Sequence, residues 1–129
     1  MNRVVHFEIS AEDTERAAAF YRRVFGWNID KWSYGDREYI VVMTAEREST
    51  EPGINGGMVP RSREFVPASG TNAFICTIQV EDYDATEKAI IEAGGRVAVM
   101  KYAVGDLAWQ GYFHDTEGNM FGLHQAFSK

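Results

Sequence analysis

His6 and Glu8 are the residues whose types and spacing most directly suggest chemistry in this chain. They lie two positions apart in the alternating stretch Val4–Ser10, so in a β-strand both side chains would leave the same face. With His124 they would supply two imidazoles and one carboxylate, the side-chain set of a non-haem iron site with open coordination positions. Side chains two apart on a strand diverge by about 7 Å, which is wide for one metal ion. We therefore favour a metal-free polar cleft and keep this triad, binding Fe, Mn, Ni or Zn, as the alternative.

Glu8 is also the one candidate catalytic residue, because a buried carboxylate can act as a general base. The competing interpretation, which we favour, is that Glu8 forms a hydrogen-bonded pair with His6, Thr77 or Gln79 and performs no chemistry. The predicted cleft needs only a few polar groups on an apolar wall, as small-molecule pockets generally have. The ligand-binding candidates are His6, Glu8, Asn55, Thr77, Gln79, Tyr112 and His124.

Composition limits the class of protein. The chain has 129 residues and a formal net charge of −6, and its basic residues are scattered, which argues against nucleic-acid binding. No apolar run approaches the roughly 20 residues of a membrane-spanning helix, and the N-terminus lacks the apolar stretch of a signal peptide. The single cysteine, Cys76, lies in an apolar run and is predicted to be buried. These features predict a cytoplasmic protein without a membrane partner.

The two halves of the sequence repeat one pattern. Ile9–Asp13 opens a helical run that ends at Gly26, and Ile78–Asp82, 69 residues later, opens a second run that ends at Gly94-Gly95. Asp13 is the predicted N-cap of the first helix, and the second helix is predicted from about Tyr83 to Ala93. The predicted strands are 4–10, 27–34, 38–44 and 53–60 in the first half, with a turn at Gly35-Asp36, and 73–80, 96–103, 107–114 and 119–127 in the second.

This order predicts an α+β fold of two tandem βαβββ modules. The modules would form an eight-stranded curved sheet around a cleft, with the helices outside. We expect one domain over residues 1–129, with module one at about 1–60, a connector at 61–71 and module two at about 72–129. Matched positions from the two modules would then line the shared cleft.

Several motifs carry a resemblance to a known family. The stretch His6–Trp27, with its Phe20-Tyr21 pair followed by Phe25-Gly26-Trp27, resembles the opening module of the vicinal oxygen chelate superfamily. That superfamily includes glyoxalase I, bleomycin-resistance proteins and extradiol dioxygenases. The stretch Asp115–Leu123 resembles the last strand of its second module, and the likeness runs from Met1 to about Phe127. The resemblance implies a small-molecule ligand in the cleft between the modules, and a homodimer.

The same resemblance weakens the case for a metal. Metal-using members place four His, Glu or Gln ligands on the first and last strands of both modules. By position these ligands fall on His6, near Gly57, on Ile75 and on Gly122. Glycine and isoleucine side chains cannot coordinate a metal ion, so three of the four positions carry no ligand. The resemblance therefore implies the fold, and we expect no cofactor.

Three functions follow from these observations. The leading one is a metal-independent, glyoxalase- or bleomycin-resistance-like protein that binds a small molecule. The first alternative is an enzyme: a metal-dependent lyase, isomerase or dioxygenase at His6, Glu8 and His124, or a metal-free isomerase with Glu8 as base. The second alternative is a non-catalytic dimeric module in which the cleft has no ligand.

Overall fold

The structure is a computed structural model that describes residues 3–34, 37–61 and 75–127. The chain divides into two compact units, Met1–Arg63 and Glu64–Lys129. The division after Arg63 falls within the connector predicted at 61–71. Residues 62–71 of that connector lie outside the described residues. The turn predicted at Gly35-Asp36 lies outside them too.

The first unit contains one helix and a four-stranded mixed sheet. Its strands lie in the order β1-β4-β3-β2; β1 and β4 run parallel, and the other neighbours run antiparallel. The elements are β1 (Phe7–Ala11), α1 (Thr14–Phe25), β2 (Asn28–Tyr34), β3 (Arg37–Met43) and β4 (Gly56–Pro60).

The second unit repeats this topology. Its sheet has the order β5-β8-β7-β6, again with one parallel pair, β5 with β8. The elements are β5 (Thr77–Gln79), α2 (Tyr83–Glu92), β6 (Arg96–Val104), β7 (Ala108–His114) and β8 (Met120–Ala126). The α+β class and the tandem βαβββ modules predicted from the sequence are confirmed.

The strand registers show which residues occupy matched positions in the two units. Glu8 lies opposite Gly57 on β1 and β4, and Thr77 lies opposite Gly122 on β5 and β8. Thr77 is therefore the structural counterpart of Glu8, and Gly122 is the counterpart of Gly57.

Helix α1 begins and ends where the sequence predicts. The Asp13 side chain accepts a hydrogen bond from the backbone N–H of Arg16, at 3.1 Å, and so satisfies a donor that the helix itself leaves open. Gly26 ends the helix in the left-handed region, with φ of 70°, which costs glycine no steric strain. The helix buries Ala17, Phe20 and Tyr21, and this face holds it on the sheet.

Helix α2 is built in the same way. The Asp82 side chain accepts from the backbone N–H of Ala85 at 3.0 Å, and Tyr83 and Ile90 are buried. The ring of Tyr83 lies 6.0 Å from that of Phe113 on β7, which packs in turn against Phe121 on β8. This aromatic cluster fixes the inward face of the second sheet, so the alternate residues of β7 and β8 occupy the other face.

Three strands begin at least three residues later than predicted. β1 begins at Phe7 instead of Val4, because its only pairing in the described part of the chain is with β4, from Phe7 opposite Gly56 onward. β4 begins at Gly56 instead of Gly53, because the residues before it form a loop that is hydrogen-bonded to Thr44. β5 begins at Thr77. Residues 73 and 74, where this strand was predicted to begin, lie outside the described residues.

The prediction that Cys76 is buried is wrong. Cys76 is exposed, since it stands just before β5, an edge strand that pairs only with β8 among the described strands. Neighbouring atoms nevertheless desolvate the thiol and raise its pKa above the ordinary value. Because the thiolate is the nucleophilic form, this shift does not favour a reactive cysteine.

The outer edge of the second sheet is apolar and exposed. β6 is an edge strand, and large apolar side chains along it and in the following turn are exposed: Val97, Val99, Met100, Tyr102, Val104 and Leu107. Within the described ranges of the chain, no helix is both long and apolar enough to cross a membrane.

Candidate functional site

The first unit carries an open pocket of about 510 Å³. β1, β3 and β4 and the loop before β4 enclose it. Three of the residues predicted to bind a ligand, His6, Glu8 and Asn55, line this pocket together. Most of the remaining lining is aliphatic or glycine: Val5, Ile40, Val41, Gly53, Ile54, Gly56, Gly57, Met58 and Val59, with Tyr39 as the one aromatic residue.

The spacing of His6 and Glu8 places both side chains in the pocket, as predicted for one strand face. His6 precedes β1 directly and Glu8 is its second residue; both are exposed. The His6 ring lies beside Gly57, with Nε2 3.8 Å from the position that a Cβ on Gly57 would occupy. The absence of a side chain on Gly57 therefore leaves room for the imidazole.

Glu8 is not tied up by a neighbouring side chain. In the part of the chain that the structure describes, its side chain forms no hydrogen bond and no ion pair within the first unit. Of the partners expected from the sequence, His6 therefore does not bond to it, while Thr77 and Gln79 belong to the other unit. The side chain is exposed, so a general base at Glu8 would depend on a bound ligand to bury it.

The Oδ1 atom of Asn55 forms a hydrogen bond within the protein, and its Nδ2 group does not take part in that bond. Its Oδ1 accepts a hydrogen bond from the backbone N–H of Thr44 at 2.8 Å, while the Thr44 hydroxyl donates to the Ile54 carbonyl at 2.8 Å. These bonds fix the loop before β4 against the end of β3. The Asn55 Nδ2 group remains as a donor that can face a ligand in the pocket.

Tyr39 belongs to the same pocket, although sequence reasoning did not select it. It is half exposed, at 51%, and lies on β3 beside Ile40 and Val41. The sequence alone does not determine which face of β3 Tyr39 occupies, because the stretch Tyr39–Met43 is apolar throughout and shows no alternation.

The other predicted ligand-binding residues lie on the second unit, where polar atoms converge on Gly122. A Cβ at this glycine would meet Thr77 Oγ1 at 2.6 Å, Gln110 Nε2 at 2.9 Å and Tyr112 Cε1 at 3.2 Å. The polar atoms of Thr77 and Gln110 therefore fill the space that a side chain at residue 122 would need. Desolvation, followed by the neighbouring Tyr112 side chain, raises the pKa of Tyr102 on β6.

Gln79 and His124 lie two residues beyond Thr77 and Gly122 on β5 and β8. Gln79 on β5 pairs in register with His124 on β8, and Gln110 on β7 pairs with His124 from the other side. The Nδ1 atom of His124 lies 2.9 Å from Oε1 of Gln110. Gln110 is the residue that sequence reasoning missed here. The observed β7–β8 hairpin, in which His114 pairs with Met120, places Gln110 opposite His124.

The four positions of the usual metal ligands do not form a metal site. By the resemblance they fall on His6, near Gly57, on Ile75 and on Gly122, and of these residues only His6 has a side chain that coordinates metals. At Gly122, moreover, neighbouring polar side chains occupy the space of a ligand. The residues therefore do not fit the metal that the fold family often carries.

The alternative metal triad is divided between the two units. His6 and Glu8 lie in the first unit and His124 in the second. Among residues 3–34, 37–61 and 75–127, no three His, Cys, Asp or Glu side chains are grouped so that they could hold a metal ion.

The chain is similar in sequence to a protein family and to a known protein. The bleomycin resistance protein-like N-terminal family matches residues 3–44. A glyoxylase-like domain-containing protein from Didymella fabae is 34% identical over 121 residues, which cover 90% of this chain and 88% of that protein.

Two solved structures share the fold at lower identity. TnmS3, an antibiotic-binding protein from Streptomyces sp. CB03234, is 23% identical with a TM-score of 0.68, and the match covers 98% of both chains. A variant of the fosfomycin resistance protein FosX from Listeria monocytogenes, complexed with Mn(II) and 1S,2S-dihydroxypropylphosphonic acid, is 16% identical with a TM-score of 0.70. That match covers 96% of this chain and 90% of FosX. With the duplicated βαβββ modules, these relatives show that the chain belongs to the vicinal oxygen chelate superfamily, the superfamily of glyoxalases and bleomycin-resistance proteins.

Proposed function

We propose that this protein binds a small organic molecule without a metal ion. The observation that carries the proposal is the pocket of the first unit, where His6 and Glu8 present polar groups on a wall of aliphatic residues and glycines. Such a lining suits a largely apolar ligand with one or two polar substituents. The fold relation to an antibiotic-binding protein supports an aromatic or antibiotic-like ligand.

Metal independence follows from the residue types at the ligand positions. Gly57 faces Glu8 across the pocket strands, and Gly122 is covered by polar side chains, so neither position supplies a donor atom. His6 by itself would hold a divalent ion weakly, since stable sites need three or four protein ligands. The polar groups of the pocket are therefore free to contact the ligand directly.

The second unit supports the proposal with a further set of polar groups. Thr77, Gln79, Tyr112 and His124, with Gln110, lie on the sheet face away from Phe113 and Phe121. We assign them ligand contacts by the same argument as for the first unit. They are hydrogen-bonding groups on strands, which hold their side chains more firmly than loops do.

The test is a thermal-shift screen of metabolites and aromatic antibiotics in buffer containing EDTA. A ligand at 100 times its Kd should stabilise the fold by about 2.7 kcal/mol, which is several degrees in Tm for a chain of this size. His6→Ala and Glu8→Gln should reduce the shift. Glu12→Gln removes the same charge from an exposed position outside the pocket and should leave the shift unchanged. Stabilisation only after addition of Fe²⁺, Mn²⁺, Ni²⁺ or Zn²⁺ would refute metal independence.

A metal-free isomerase is the second candidate, since the Glu8 side chain lines the pocket and has no side-chain partner among the described residues of the first unit. A ligand that buries this carboxylate would make it a better proton acceptor. If Glu8 is the base, Glu8→Gln abolishes turnover of a bound substrate but leaves its binding within a few fold. Elemental analysis of untagged protein, with His6→Ala and His124→Ala alongside, tests the metal-dependent alternative.

We also propose a homodimer in the cytoplasm. The exposed apolar edge of β6 supports self-association, because a row of unpaired backbone groups with apolar side chains is a template for pairing. The acidic composition and the single cysteine suit a reducing compartment. Light scattering of the purified protein measures the dimer, and Val99→Lys should shift it toward monomer.

A further inference from the structure

We propose that Gln110 holds His124 in the Nδ1–H tautomer, so that Nε2 is an unprotonated hydrogen-bond acceptor for a ligand O–H or N–H group. Gln110 is a positioning residue in this scheme, and His124 makes the contact. The tautomer is a property of the protein without ligand; only the class of ligand rests on the proposed function.

The first step is the geometry of the pair. Gln110 on β7 and His124 on β8 are opposite each other in the antiparallel register. The Gln110 Oε1 atom lies 2.9 Å from Nδ1 of His124, an ordinary hydrogen-bond distance. An amide oxygen only accepts hydrogen bonds, so the proton of this bond belongs to Nδ1.

The second step is the orientation of the Gln110 amide. With Oε1 directed at His124, Nε2 is directed toward Gly122, 2.9 Å from the position that a Cβ there would take. Thr77 Oγ1 approaches the same point to 2.6 Å. The lack of a side chain on Gly122 thus leaves space for the amide, and Gln110 is only 7% exposed. A side chain enclosed in this way has little rotational freedom, so it can fix the ring that it contacts.

The third step concerns the other ring nitrogen. A neutral imidazole with its proton on Nδ1 carries a lone pair on Nε2. In the described part of the chain, His124 has no side-chain partner besides Gln110, and its ring is partly exposed. Nε2 is therefore an open acceptor, and it selects ligands that carry a hydroxyl or an N–H group.

The matched positions in the first unit lack this pair. Gly57 lies opposite Val41 and Gly122 lies opposite Tyr112, so counting along the strands makes Tyr39 the counterpart of Gln110 and Val59 that of His124. Residue 59 is a valine, so the first unit has no imidazole at this position. The Nε2 acceptor of His124 is therefore specific to the second unit. It is not a feature that the two repeated modules share.

The experiment reads the tautomer directly by long-range ¹H–¹⁵N NMR of histidine-labelled protein at a pH where the rings are neutral. The chain has three histidines, so His→Gln variants assign every signal. We expect His124 to be mainly Nδ1–H in the wild type. His6 has no described partner and is the internal control; it should show the usual excess of Nε2–H.

Two substitutions at residue 110 separate positioning from packing. Gln110→Glu keeps an acceptor oxygen and should retain Nδ1–H, whereas Gln110→Leu removes it and should return His124 to mainly Nε2–H. Wild-type His124 in the Nε2–H form would overturn the inference, and so would an unchanged tautomer in a folded Gln110→Leu variant. If Gln110→Leu does not fold, the wild type and Gln110→Glu still decide. None of these results depends on the proposed function.

The ligand class is tested with phenol and anisole, which differ by the hydroxyl proton. Phenol at millimolar concentration should shift the His124 ¹⁵Nε2 resonance, and anisole should leave it unchanged. An equal response to both probes, or none to phenol, would overturn the preference for a donor.

Discussion

Thr77 lies opposite Gly122 on paired parallel strands, and its Oγ1 is 2.6 Å from the position that a Cβ at residue 122 would occupy. The matched pair of the first unit, Glu8 and Gly57, leaves more space, since the nearest atom to a Cβ at Gly57 is the Ile40 carbonyl oxygen at 3.2 Å. The two glycines occupy matched positions, but the space around them differs between the units.

This difference predicts unequal costs for the same substitution. Gly122→Ala should lower the free energy of unfolding by about 1–3 kcal/mol, because Thr77 and Gln110 must move. Gly57→Ala should change it by less than about 1 kcal/mol, since the carbonyl need give only slightly. Urea denaturation of both variants measures the difference. Equal costs would contradict the crowding described at Gly122, and adding Thr77→Ala to Gly122→Ala should recover part of the loss.

The two helix caps should contribute equally. Asp13→Ala and Asp82→Ala each remove a side-chain acceptor from a backbone N–H at 3.0–3.1 Å, and each should cost about 1 kcal/mol. Asparagine keeps the acceptor oxygen, so Asp13→Asn and Asp82→Asn are the controls and should cost much less. Thermal unfolding of the four variants is the measurement. A loss as large with Asn as with Ala would point to charge instead of capping.

Tyr83 makes stability depend on pH in the alkaline range. Burial, followed by the charges of Glu87 and Asp84, raises its pKa to about 12. In the unfolded chain the phenol ionises near pH 10, so above this pH the unfolded state has released a proton that the folded state retains. Stability should therefore fall as the pH rises from 10 to 12, by about 1 kcal/mol at pH 11.

Tyr83→Phe isolates this contribution. Its hydroxyl is buried without a hydrogen-bond partner in the described part of the chain, so the variant should be at least as stable as the wild type at neutral pH. Urea denaturation from pH 7 to 11 should show the wild type losing stability relative to the variant only above pH 10. Parallel curves would show that the Tyr83 hydroxyl titrates normally.

The same hydroxyl should make Gly111 intolerant of any side chain. A Cβ on Gly111 would overlap the Tyr83 hydroxyl oxygen and approach the Val99 carbonyl oxygen at 3.2 Å. Gly111→Ala should thus cost about 3 kcal/mol, at the upper end for overpacking. Combining it with Tyr83→Phe should recover part of the cost, which a double-mutant cycle of unfolding free energies measures. Strict additivity would contradict the overlap.

The elements that the sequence predicts well are those with local signals. Asp13 marks a helix start and Gly26 marks a helix end, because capping depends on residues within one turn. The alternation from Phe7 to Ile9 likewise predicts a more exposed Glu8 between two more buried neighbours, as the structure has it. These signals need no knowledge of distant residues.

Residues whose placement depends on strand register were harder to predict. Gln110 lies in a stretch crowded with aromatic residues, where Trp109, Tyr112 and Phe113 hide the alternation. Only the pairing with His124 reveals its face. Cys76 looked buried because its neighbours in sequence are apolar, but the edge position of β5 decides its exposure. The positions of Gln110 and Cys76 depend on pairing between strands, which composition does not encode. The helix caps depend only on residues within one turn.

The most direct test of metal-free binding is calorimetric titration of a ligand from the thermal-shift screen into metal-stripped protein. We predict the same Kd, within about twofold, in EDTA and after addition of Mn²⁺ or Zn²⁺, together with a clear weakening in His6→Ala. Binding that disappears in EDTA and returns with the metal would contradict the account.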